Sequence, residues 1–289
     1  MYPFREFTVS EAARHPHYLV VGHPISHSLS PLMHRAALQH HHIEADYHAV
    51  DLEYKDLTAF ISWMNKDSFL GANITIPYKQ EMIRVADWLD STVESIGALN
   101  TIVKKNGILS GYNTDVTGFR SPLESYENLL AGEQAIIFGT GGASRAVRYA
   151  LRELGLSRVI MVSRNPGQHH PEEASDEHLV FSSYQNWHAF AEESILLVNT
   201  TPLGMSPDLQ SSPIKEEEVH LLGDRICYDL VYNPVKTTFI KQAEKAGADY
   251  ITGLEMFLQQ GNESFRLWTG KSFPVKKIKK LIISALQEE

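Results

Sequence analysis

The 289-residue chain has a single cysteine, Cys227. No disulfide can form within it, which points to a reducing compartment such as the cytoplasm. Cys227 sits in the apolar run Ile226 to Val231 and reads as a small buried hydrophobe in a strand. No apolar run is long enough to cross a bilayer, which argues against a membrane protein. Met1 to His17 carries Arg5, Glu6, Glu11 and Arg14 and lacks the apolar stretch of a signal peptide. Basic charge is scarce as well: 26 Lys and Arg against 35 Asp and Glu leave a formal net charge of −9. That balance argues against nucleic acid or an anionic membrane as partner, while a small anion held by local groups stays possible. The sequence shows no repeat, no low-complexity segment and no metal site. His40-His41-His42 diverge around a helix end and His169-His170 fall in a loop, so both groups read as surface histidines.

What is present fits a soluble globular protein. The hydrophobic fraction is 43% and the charged fraction 21%, and the length allows two domains. Tyr18 to Val21 reads as a strand ending at Gly22, and Ser30-Pro31 as an N-cap and first helical residue. Ala45 to Val50 and Gly71 to Ile76 read as strands, and Leu57 to Met64, Glu81 to Leu89 and Ser91 to Ile96 as helices. Asn106-Gly107 between Thr101–Val103 and Ile108–Leu109 is a hairpin signal. A helix is expected from Thr117 to Leu130. Beyond it, strand-like runs at Arg158–Val162, Ile195–Val198, Ile226–Val231 and Asp249–Ile251 alternate with helical patterns, as in a parallel sheet with crossover helices. The stretches from Gly167 to Ser175 and from Ser206 to Pro213 look like loops. Helices at Glu255–Trp268 and Val275–Leu286 close the chain, the second with four lysines on its solvated face.

The sharpest local motif is Ala135-Ile-Ile-Phe138 running into Gly139-Thr-Gly-Gly-Ala-Ser144 and a helical pattern from Arg145 to Leu154. Glycines allow a tight turn and close approach to a pyrophosphate, and a helix start offers unpaired N–H groups. Gly139, Gly141, Gly142, Ala143 and Ser144 are therefore candidate dinucleotide-binding residues, against the alternative of a plain strand–helix turn. At the end of the next strand an NAD site usually has an acid for the ribose 2′-hydroxyl. Ser163-Arg164-Asn165 has none, and Arg164 can grip a 2′-phosphate instead, so NADP is favoured over NAD. The alternative for Arg164 is a solvated turn residue.

Polar residues cluster in the first half. Ser28 and Ser30 stand beside a helix start, which suits a carboxylate, though Ser30 can equally serve as a cap. Asn73 and Thr75 share one side of a strand, and Lys79 lies just past its proline stop. Asp115 reads by itself as an N-cap. Each has a bland alternative; in combination, a lysine, an aspartate, several hydroxyls and Asn100 accompany a redox-cofactor fold. A Lys79–Asp115 pair could supply and remove the proton that accompanies hydride transfer to a ketone, worth about 10²–10⁴-fold in rate.

In series, these segments resemble the shikimate dehydrogenase family from about Tyr18 to Leu286. The motifs are Gly22-His-Pro-Ile-Ser-His-Ser-Leu-Ser-Pro31, Asn73-Ile-Thr-Ile-Pro-Tyr-Lys79, Gly97-Ala-Leu-Asn-Thr101, Gly111-Tyr-Asn-Thr-Asp115, Gly139 to Ser144, Asn199 to Met205 and Gly253 to Gln260. The resemblance implies an α/β protein of two domains. A discontinuous substrate domain would take residues 1–115 and 254–289, and a Rossmann-like doubly wound NADP domain residues 116–253. It implies reversible reduction of 3-dehydroshikimate to shikimate by NADPH, by a monomer or homodimer. Lys79 and Asp115 would be the acid–base pair. Ser28 and Ser30 would bind the carboxylate, and Thr75, Asn100, Tyr232 and Gln260 the ring hydroxyls or carboxylate. Ser163, Arg164, Leu230 and Gly253 would join the glycine turn at the cofactor. The chain departs from the family pattern at Ser163-Arg164-Asn165, where Asn-Arg-Thr is usual, and at His34-Arg35, where His-Asn is commoner. Its segment before Tyr18 is longer than the family needs. Alternatives are an enzyme that also takes quinate or uses NAD, and a non-enzymatic sensor on the same fold.

Overall fold

A computed structural model describes residues 1–167 and 176–288. His169-His170 and most of the loop expected from Gly167 to Ser175 fall outside the described residues. The chain divides into two compact units: Met1–Thr114 with the C-terminal stretch from Gln260, and Asp115–Gln259.

The first unit is built on seven strands: β1 (Tyr2–Pro3), β2 (His17–Gly22), β3 (Asp46–Asp51), β4 (Phe69–Ile74), β5 (Trp88–Leu89), β6 (Thr101–Lys105) and β7 (Ile108–Tyr112). They pair in the order β1-β3-β2-β4-β6-β7-β5. β2 is buried along its whole length, as expected of a central strand with both faces covered. It pairs parallel to β3 and β4, so the ends of β2 and β4 come out on the same edge. The β6–β7 hairpin turns through Asn106 and Gly107, both at positive φ, as its Asn-Gly dipeptide predicts.

The segment before Tyr18 adds an edge strand. Tyr2 and Pro3 pair with Val50 and Asp51, and Phe4 and Phe7 enter the core. The Phe4 ring meets Phe60 edge-on at 5.7 Å, and Phe7 meets Trp63 at 5.5 Å. Arg5 closes the segment onto Asp56 at 2.7 Å.

Two expected helices differ for identifiable reasons. The stretch Glu81 to Leu89 is a short 3-10 helix, Glu81–Val85, followed by β5. Asp87 accepts from and donates to the Leu109 backbone, which draws the chain into the sheet against the helical apolar spacing. Thr117 to Leu130 breaks into Thr114–Arg120, a 3-10 turn Ser121–Tyr126 and Glu127–Leu130. Pro122 has no N–H to continue the first helix.

The second unit is a six-stranded, fully parallel sheet of β8 (Gln134–Phe138), β9 (Arg158–Ser163), β10 (Leu179–Ser183), β11 (Ser194–Asn199), β12 (Ile226–Asp229) and β13 (Asp249–Ile251). β10 has no counterpart among the strands expected from sequence. Its polar Ser182-Ser183 end and the loop before it hide the pattern. The order β10-β9-β8-β11-β12-β13 reverses direction between β8 and β11. This is the doubly wound arrangement whose ligands bind at the switch point, beyond the carboxyl ends of the strands. Cys227 is fully buried in β12, and burial pushes its thiol up to about 12.

Candidate active site

In the second unit β8 delivers Phe138 to the switch point, and the chain turns at Gly139 with φ +106°. A side chain there is excluded twice. The backbone angle is one that L residues rarely adopt, and a Cβ would lie 2.8 Å from Thr200 Oγ1. Gly141 and Gly142 face open space at the start of the helix Gly142–Glu153. Ser144 is buried, and its hydroxyl donates to the Gly141 carbonyl at 2.7 Å, stapling the turn.

A cavity of about 830 Å³ opens here, lined by Gly139, Gly141, Ser163, Arg164, Tyr184 and Lys215 among others. That volume suits a large ligand. Of the nine candidate cofactor residues, Gly139, Gly141, Ser163 and Arg164 line it. Gly142 and Ala143 are exposed beside it, and Ser144 supports the turn from behind. Leu230 and Gly253 are absent from the lining. The Leu230 N–H donates to the Asn199 carbonyl at 3.0 Å, and a Cβ on Gly253 would lie 2.5 Å from the Leu230 carbonyl oxygen. Glycine at 253 therefore reports a close backbone crossing.

The electrostatics of the lining favour an anion. Glu218 is the one carboxylate among the lining residues, against the cations Arg164 and Lys215. Its two oxygens accept from Trp187 Nε1 at 3.3 Å and the Lys215 backbone N–H at 3.0 Å. Arg164 and Ser163 thus stand at the end of β9 where an NAD site would hold an acid. Burial raises the Tyr184 hydroxyl's pKa, and the nearby Arg164 charge works against that rise.

A buried cluster that sequence reasoning missed holds the loop Asn199–Leu203. Asn199 Oδ1 accepts from the Thr201 N–H at 3.0 Å and hydroxyl at 2.6 Å, while its Nδ2 donates to Asp229 Oδ1 at 3.0 Å. Asp229 also accepts from the Thr237 hydroxyl and the Val231 N–H. Burial pushes its carboxyl up to about 6 despite these three donors. An aspartate inside the apolar run Ile226 to Val231 was the available signal.

In the first unit the polar residues gather at the strand ends. The Thr75 N–H donates to the Val21 carbonyl at 2.9 Å, and a Cβ on Gly22 would strike Thr75 Cγ2 at 2.4 Å. The Ile74 N–H donates to the Asn100 carbonyl at 2.7 Å, and the Leu99 N–H to the Lys79 carbonyl at 2.9 Å. Thr75, Lys79 and Asn100 are thereby held on adjoining segments. The helix starts at Ser30 itself rather than after it. The N-cap position falls at Leu29, which has no side-chain acceptor, and the Ser30 N–H donates to Ser28 Oγ at 3.3 Å. The Ser30 hydroxyl lies beside Tyr47 and works against the rise that burial gives its pKa, and the buried Tyr47 hydroxyl donates to Asn73 Oδ1 at 2.7 Å. Arg35, unusual at its position, donates to Asp46 at 2.8 Å and to His48 Nδ1 at 3.0 Å.

Gln260 opens the C-terminal part of this unit, and Asp115 is the first residue of the other. Asp115 lies inside the first turn of Thr114–Arg120, so it is no N-cap. Tyr232, also of the second unit, stacks on Phe257 with ring centres 4.4 Å apart. Among the described residues no group of three or more His, Cys, Asp or Glu could hold a metal, and no helix is long and apolar enough to cross a membrane.

Comparisons with known proteins agree with this architecture. The family model described as shikimate dehydrogenase substrate binding domain matches residues 20–102, and that of the shikimate 5′-dehydrogenase C-terminal domain matches residues 253–283. A shikimate dehydrogenase (NADP+) of Caldanaerobacter subterraneus is 36% identical over 259 residues, 88% of this chain and 91% of the relative. The shikimate 5-dehydrogenase of Thermus thermophilus, solved with NADP(H) and shikimate, superposes with TM-score 0.81 at 35% identity over 93% of this chain and 99% of that one. A quinate dehydrogenase of Corynebacterium glutamicum, solved with NAD, gives TM-score 0.84 at 26% identity over 93% of this chain and 99% of the other.

Proposed function

The chain belongs to the shikimate dehydrogenase family, and from that premise we propose that it reversibly reduces 3-dehydroshikimate to shikimate with NADPH, a step of aromatic amino-acid biosynthesis. The observation that carries this reading is the full-length match to NADP-dependent relatives, with 88% of this chain and 91% of the relative covered. The lining of the second unit's cavity agrees: Arg164 lies at the end of β9, and the one carboxylate present already has both oxygens engaged.

NADPH, when bound, supplies the hydride for the substrate ketone. This chain's residues do the rest. Gly139 to Gly142 and the helix start accommodate the pyrophosphate, and Arg164 pairs with the 2′-phosphate. Ser28 and Ser30 hold the substrate carboxylate, and Thr75, Asn100, Tyr232 and Gln260 orient the ring. Lys79 and Asp115 hand a proton to the reduced oxygen and recover it in the reverse direction. The first unit is thus the substrate domain and the second the dinucleotide domain. The single buried cysteine fits a cytoplasmic enzyme, working as a monomer or homodimer.

Incubation of the pure protein with shikimate and NADP+ should produce NADPH absorbance. Absence of turnover with either NADP+ or NAD+ removes the reading. Quinate is the competing substrate, since a quinate dehydrogenase shares the fold. Serine at position 30 leaves the pocket suited to shikimate, and faster turnover of quinate would reverse that assignment.

A further inference from the structure

Beneath the proposed substrate residues lies a buried hydroxyl that neither motif nor mechanism has used. Ser264 has no solvent exposure and stands one turn after Gln260 in the helix Gly253–Thr269. Its hydroxyl donates to the Gln260 carbonyl at 3.0 Å, an ordinary back-bond for a helical serine. Three further contacts are not ordinary. Asn73 Nδ2 donates to it at 2.9 Å, and it lies 2.8 Å from Thr101 Oγ1 and 3.1 Å from Thr114 Oγ1.

The protons of this cluster are few, because each hydroxyl has one to give and two lone pairs to offer. Tyr47 donates to Asn73 Oδ1, so the amide of Asn73 must turn Nδ2 toward Ser264 and Thr101. The Thr114 N–H donates to Asn100 Oδ1 at 2.8 Å, which fixes the orientation of the Asn100 amide. Thr101 donates to that same oxygen at 3.0 Å, and Asn100 Nδ2 donates to Thr114 Oγ1 at 3.0 Å. The Ser264 proton goes to the Gln260 carbonyl and one of its lone pairs to Asn73 Nδ2, so the other lone pair accepts from Thr101 or Thr114, both within reach at 2.8 and 3.1 Å. Without an acceptor at 264, the Thr114 hydroxyl would turn to Asn100 Oδ1, 3.2 Å away, and compete with Thr101 there.

We propose that Ser264 is a positioning residue for the substrate, acting through Asn100. Resting on the activity proposed above, this reading makes one buried hydroxyl relieve competition at the amide oxygen of a group that orients the ring. Ser264→Ala should raise KM for shikimate about three- to tenfold, the value of one or two buried hydrogen bonds, with kcat and KM for NADP+ little changed. In an Asn100→Ala background the same substitution should add less than about twofold, because the group it acts through is gone. Thr101→Val removes the competing donor at Asn100 Oδ1 while nearly keeping its shape, so added to Ser264→Ala it should bring KM for shikimate back toward wild type; if Ser264→Ala does not fold, Ser264→Cys, a poorer acceptor of similar shape, should raise KM in its place. An unchanged shikimate KM in a folded variant, or an equal effect with and without Asn100, overturns the proposal. Wild-type protein that neither binds shikimate by calorimetry nor turns it over would defeat the activity reading, and this inference with it.

Discussion

The two units hold their functional groups by different physics. In the second, the turn at the switch point is a backbone feature: a glycine at φ +106° running into a helix start. In the first, the equivalent work falls to side chains, in a buried network running from Tyr47 through Asn73 to Asn100, Thr101 and Ser264. A backbone cradle tolerates exchange of the side chains around it. A side-chain network does not, since removing one member leaves a buried partner unsatisfied.

The largest effect should separate chemistry from binding. Lys79→Ala is expected to cut kcat by about 10²–10⁴-fold while shikimate affinity stays within a few-fold. Equal loss of affinity, measured by calorimetry, would make Lys79 a binding group.

Phe7→Ala tests whether the N-terminal segment belongs to the first unit's core. A cavity among Trp63, His17 and His48 should cost about 3–5 kcal/mol in denaturant unfolding. A cost under about 1 kcal/mol would show that the segment merely lies on the surface.

Acid and base should act on the two units in opposite directions. His34 is fully buried against Tyr47, and burial lowers its pKa to about 3 from 6.5, so it is neutral when folded. Its unfolded form takes up a proton near 6.5, so this stability is full above that pH and falls below it, by about 2–3 kcal/mol at about pH 4.5. His48, lowered to about 4 chiefly by burial, acts in the same sense. Asp229 does the reverse. Its folded carboxyl keeps a proton up to about 6, against 3.8 ordinarily, so that contribution is present below 3.8 and is lost as pH rises to about 6. Unfolding curves of His34→Phe and Asp229→Asn across this range should each lose one limb of the profile. An unaltered profile in both would remove the contrast.

The smallest effect sharpens the cofactor end. Arg164→Gln should raise KM for NADP+ about tenfold, the worth of a charge-assisted contact, and leave KM for NAD+ nearly unchanged. A parallel rise for both cofactors would place Arg164 away from the 2′-phosphate.

The contrast also explains what could be read in advance. The glycine turn, the missing acid after β9 and the Asn-Gly hairpin were legible because each is a local backbone requirement spelled by adjacent residues. The same locality misled at Glu81 to Leu89, where helical apolar spacing yielded to pairing with β7. Pro122, one residue in the sequence, breaks the helix expected from Thr117 to Leu130 into three short pieces. Residue types and their order along the chain were enough to determine the glycine cradle, the parallel nucleotide sheet and the family. Where the helix at Ser30 begins, why Gly253 is glycine, and how Tyr47, Asn73, Thr101, Thr114 and Ser264 come into hydrogen-bond contact were decided only in three dimensions. Those contacts join residues as many as 191 positions apart, and hydrogen-bond direction depends on who stands beside whom rather than on who follows whom.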